Sequence, residues 1–108
     1  MSTSVKVTLA DFTFTPNTWT VPAGKELTIT LTNKGANEHE WVIIKKGETV
    51  TVPFDDDDED KVYWETEVAA GEAKTDKFTA PGEPGEYKSV CGLKGHIESG
   101  MEATLIVK

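Results

Sequence analysis

A second cysteine is missing: Cys91 is alone among 108 residues. That excludes an internal disulfide and leaves the redox compartment open. Long hydrophobic runs are missing too, so no stretch of this chain reads as a bilayer span. The opening MSTSVKV has no basic segment followed by an apolar one, so no signal peptide is expected. The chain reads as cytosolic, or as a mature domain with an added Met1. Its length points to one domain over residues 1–108, with one modest core.

Positive charge is in short supply as well. Nineteen acids outnumber eleven basic residues, for a net charge of −8. The deficit is local: residues 55–67, DDDDEDKVYWETE, hold eight acids and one lysine, and the rest of the chain is nearly neutral. Such a patch repels phosphates, which argues against a nucleic-acid partner. It suits the steering of a basic protein surface, or else it is a solvated loop tip. The run lacks the spaced oxygen ligands and central glycine of a calcium-binding loop.

Alternation is what the chain has in abundance. Residues 5–14, 18–21, 26–33, 39–44, 73–80, 85–91 and 101–108 read as strands, bounded by Gly, Pro and Asn. In ELTITLTN, Leu27, Ile29 and Leu31 share a face. HEWVII is apolar on both faces beyond its first residues, as a central strand should be, and AKTDKFTA is polar, as an edge strand should be. Residues 45–72 are the least regular, an acidic insertion in which Trp64 and Val68, four apart, admit a short helix. Trp19 and Trp41 are expected in the core and Trp64 over an open side. Tyr87 is expected to bond the backbone at a corner. The pattern predicts an all-β, antiparallel Greek-key β-sandwich of about seven to eight strands.

The rarest side chains gather in SVCGLKGHIESGM, where Cys91, His96 and Met101 follow one another with four residues between each. Period 2 lets Cys91, ending one strand, and Met101, opening the next, point into the same end of the sandwich. Gly92, Gly95 and Gly100 let the loop turn His96 toward them. Singly, each residue has a plainer role: a small buried thiol, a core methionine, a rim histidine. Together, thiolate, imidazole and thioether favour copper or zinc over magnesium or calcium. Zinc wants a fourth strong ligand. A trigonal Cys, His, His set with a weak axial Met is the copper electron-transfer arrangement. The only other histidine, His39, opens the strand HEWVII.

These residues resemble the cupredoxins, the small blue copper proteins. DFTFTPNTWTVPAGKELTITLTNKG resembles the family's N-terminal half, NEHEWVI the region of its first histidine ligand, GEYKSVC the segment ending in its cysteine, and CGLKGHIESGM its ligand loop. The resemblance implies one type 1 copper ion held by His39, Cys91, His96 and Met101. It implies electron transfer to a redox partner protein, with His96 as the port inside an apolar collar of Leu93 and Ile97. It also implies an extracytoplasmic location. Many members carry Asn directly after the first histidine, where it ties the ligand loop to that strand; here the residue is Glu40.

Enzymatic readings lack parts. No histidines remain for the second copper centre of a multicopper oxidase or nitrite reductase, and a dinuclear copper site needs two cysteines. A Cys–His hydrolase needs an orienting partner and a cleft. A copper carrier or storage domain, and a metal-free structural sandwich, are the rivals. Carriers usually hold more methionines than the two found here.

Overall fold

The structure is a computed structural model that describes residues 3–11, 13–48, 60–91 and 101–108. Four strands, β1 (Ser4–Ala10), β2 (Thr13–Thr15), β4 (Glu26–Asn33) and β7 (Ala73–Thr79), form one sheet in the order β2-β1-β4-β7. Five more, β3 (Thr18–Val21), β5 (His39–Ile44), β6 (Val62–Val68), β8 (Gly85–Val90) and β9 (Glu102–Val107), form the other in the order β3-β9-β8-β5-β6. The two sheets enclose a core built from alternating inward residues, among them Val7, Leu9, Leu27, Ile29, Leu31, Trp41 and Leu105. Period 2 puts these on one face of each strand and the intervening polar residues outside.

Among the described residues nine strands stand where about seven to eight were expected. One extra comes from the run 5–14, which breaks at Asp11. β1 and β2 then pair antiparallel, Ala10 against Thr13 and Leu9 against Phe14. The other is β6, in the segment expected to be irregular or briefly helical. Trp64 and Val68 lie on a strand, because four residues are also two strand periods: Val62, Trp64, Thr66 and Val68 are the more buried positions of β6. Of the acidic run from Asp55 to Asp60, residues 55–59 lie outside the described residues.

Two pairings are parallel, β1 with β4 and β3 with β9, so the sandwich is mixed rather than wholly antiparallel. β7 is an edge strand, as its polarity indicates. β5 is central, between β8 and β6, and buried on both sides. Trp41 and Ile43 point into the main core. Val42 and Ile44 form a second, smaller apolar cluster with Val90, against which Val62 packs.

Aromatic rings run across the core. Trp41 meets Trp19 at 5.4 Å, Trp64 at 5.9 Å and Phe78 at 6.0 Å between centroids, all edge to face. Trp64 stacks on Phe78 at 4.4 Å and 10° and so covers the seam between β6 and β7. Thr66 Oγ1 closes the same seam by donating to Asp76 Oδ2 at 2.8 Å. The Tyr87 hydroxyl donates to the Glu83 carbonyl at 2.6 Å, the corner role expected of it. Burial, and after it the nearby Glu83 charge, push the Tyr87 pKa up.

Candidate metal centre

The end of β1, the start of β5, the end of β8 and the start of β9 meet at one end of the sandwich. Val42 opposite Val90 sets β5 and β8 in register, which carries His39 and Cys91 to the same rim. Val90 opposite Glu102 does the same for β8 and β9, and the Cys91 N–H donates to the Met101 carbonyl at 3.3 Å. His39, Cys91 and Met101 are all 0% exposed. Three of the four residues singled out in the sequence therefore come to one buried end. His96, with Leu93 and Ile97, lies outside the described residues.

Two residues of β5 touch the thiol. Cys91 Sγ lies 4.0 Å from His39 Nδ1 and accepts the Glu40 N–H at 3.3 Å. The link between Cys91 and β5 thus includes a main-chain amide, which any residue but proline would supply.

The far nitrogen of His39 is held by an acid. Asp11 Oδ1 lies 3.0 Å from His39 Nε2. An ionised carboxylate only accepts hydrogen bonds, so Nε2 carries the proton, and in a neutral ring Nδ1 then presents its lone pair to the sulfur. The Asp11 carboxylate also accepts the main-chain N–H groups of Ala36 and Asn37, Oδ1 at 3.1 and 3.3 Å. The His39 contact first, and then the Ala36 N–H, hold the Asp11 carboxyl below the usual carboxylate range. The stabilisation gained from this lowered pKa is present above the unfolded value and lost as pH falls through the folded one.

The turn between β4 and β5 is shaped to bring Asp11 and His39 together. Asn33 is 1% exposed. Its Nδ2 donates to the carbonyls of Asn37 and Val68, each at 2.9 Å, and its Oδ1 accepts the Gly35 N–H at 2.9 Å. Gly35 fits because it lacks a side chain. A Cβ there would stand 2.9 Å from His39 Nε2 and 2.9 Å from the Asp11 main-chain nitrogen, closer than such atoms approach. Asp11 and Asn33 had no signal in the sequence that tied them to His39: Asp11 lies 28 positions before it. Their role follows from β1 lying parallel to β4, with Leu9 beside Asn33.

The donor set suits a soft first-row metal. Metal–nitrogen and metal–sulfur bonds of about 2.0 and 2.3 Å let one ion bridge atoms up to about 4.3 Å apart. The observed 4.0 Å is within that span. Among the described residues no group of three or more His, Cys, Asp or Glu gathers around one point.

A family model of the cupredoxin-like domain matches residues 1–107. Among solved structures, dithionite-reduced auracyanin from Roseiflexus castenholzii is 26% identical, with a TM-score of 0.84 over 99% of this chain and 98% of that one. Auracyanin A, a blue copper protein from Chloroflexus aurantiacus, is 26% identical, with a TM-score of 0.77 over 97% of this chain and 99% of that one. Reduced rusticyanin, 23% identical at a TM-score of 0.64 over 100% of this chain and 81% of that one, shares the fold. No curated protein matches the chain.

Proposed function

The chain belongs to the cupredoxin family, and from that premise we propose that it is a one-electron carrier with a single type 1 copper site cycling between Cu(II) and Cu(I). The ligands in this reading are His39, Cys91, His96 and Met101. The observation that carries it is the buried approach of His39 Nδ1 to Cys91 Sγ at 4.0 Å, with Nε2 already engaged by Asp11. A bound copper ion would supply reversible one-electron chemistry without a substrate.

Each residue has a definable task. Cys91 gives a thiolate, buried and steadied by the Glu40 N–H. His39 gives its Nδ1 lone pair from a strand that is central in its sheet, so the ring has little freedom to shift between oxidation states. Met101 lies just before β9, buried in the core, and would lend a weak thioether ligand. In this reading His96 completes the set and serves as the electron's port to a partner. The partner in this reading is a redox protein with a basic docking surface met through the acidic run. The protein works as a monomer outside the cytoplasm and is not an enzyme. No helix among the described residues is long and apolar enough to cross a membrane.

Titration of the metal-free protein with Cu(II), followed by absorbance and electron paramagnetic resonance, tests the reading. An intense sulfur-to-copper band is expected to saturate at one equivalent and to bleach with reductant. Met101→Leu is expected to keep part of the colour and to change the reduction potential. Binding that stays colourless would favour a Cu(I) carrier, and no binding would leave a structural sandwich.

A further inference from the structure

We infer that Asp11 is the positioning residue of the centre: its carboxylate fixes the His39 ring in the Nε2–H form, aims Nδ1 at Cys91, and places a negative charge behind the ligand. The inference deepens the copper reading and rests on it for the effect on potential. The effect on the ring stands without any metal.

The geometry makes this a built contact rather than a chance one. Asp11 stands just past β1, beside the turn that leads into β5, and a single oxygen, Oδ1, reaches His39 Nε2, Ala36 N and Asn37 N. Its second oxygen also accepts the Ala36 N–H, at 3.2 Å. Gly35 leaves the room for this approach, and Asn33 pins the turn that carries these N–H groups. The His39 side chain is 0% exposed and that of Asp11 is 36% exposed, so the ring cannot turn toward water while the acid keeps a solvated side. A histidine that binds metal through one nitrogen usually donates from the other, and the acceptor sets ring orientation and basicity. A full negative charge as acceptor favours the more positive oxidation state of whatever the ring binds. Removing that charge should therefore raise the reduction potential.

Two measurements test this. The first needs no copper: long-range proton–nitrogen correlation spectra of the metal-free protein at neutral pH report the His39 tautomer directly. Wild type is expected to show Nε2–H alone. Asp11→Asn is isosteric and can still accept through its amide oxygen, so it should keep that form, while Asp11→Ala should give a mixture. The second is a redox titration of the copper-loaded proteins. Asp11→Asn is expected to shift the ratio of reduced to oxidised protein about tenfold toward reduced, an upward shift of about 59 mV. A merely structural Asp11 would leave the potential of the isosteric variant where it was. Overturning results would be an Nδ1–H or mixed tautomer in wild type, or an unchanged or lowered potential in Asp11→Asn. If wild type forms no blue site, the copper reading fails, and the tautomer result still decides whether Asp11 orients the ring.

Discussion

Cys91→Ser is expected to abolish the blue absorption completely. The colour of such a site comes from charge transfer out of a sulfur, and Cys91 is the chain's one thiol. The hydroxyl is a hard, weakly acidic donor that a soft metal does not favour. Copper affinity should fall by more than the roughly 10–100-fold that follows loss of a supporting contact behind a ligand. The fold should survive. Serine is smaller, and its hydroxyl can accept the Glu40 N–H that now goes to sulfur, so the metal-free protein should lose no more than about 2 kcal/mol. Urea unfolding of the metal-free variant, followed by circular dichroism, separates a lost site from a lost fold. A variant that folds and remains blue would sink the thiolate assignment.

Trp41→Ala is expected to be the most damaging substitution for stability. The ring is fully buried and meets three aromatic partners at 5.4–6.0 Å. Truncating a buried tryptophan costs about 3–5 kcal/mol, a large share of the roughly 5–15 kcal/mol that holds a domain together. One feature works the other way: among the described residues Trp41 Nε1 has no hydrogen-bond partner. Its burial carries a penalty of about 1–3 kcal/mol that alanine and phenylalanine both escape. Trp41→Phe should therefore be much milder than its loss of volume implies, and Trp41→Ala should cost about 3 kcal/mol, the low end of that range, by denaturant titration. Equal losses for the two variants would mean that the aromatic contacts contribute little.

The strands were largely legible because a strand facing a core advertises itself every second residue. Leu27, Ile29 and Leu31 show it on β4, and Met101, Ala103, Leu105 and Val107 in and beside β9. The same period hid β6, since Trp64 and Val68 satisfy a helical spacing equally well. It was silent about neighbours too: alternation says which face is buried and nothing about which strand lies alongside, so the parallel pairs β1–β4 and β3–β9 were not foreseen. The site divides in the same way. That His39, Cys91 and Met101 would come to one end of the sandwich was legible from scarcity and spacing. The partners that orient His39 were not, because Asp11 and Gly35 act only once β1 and β4 lie side by side. Glu40 was legible as a departure from the family, yet the contact found there is made by its amide, which no side chain reveals.

The placement of β5 has a kinetic side. Around Val42 and Ile43 it is hydrogen-bonded to strands on both sides, and it is covered on both faces, so this part of the strand has little margin from which to fray. Its amides should exchange with solvent only when the whole domain opens. An ion held through His39 would then have one ligand only three positions from that slow-exchanging centre.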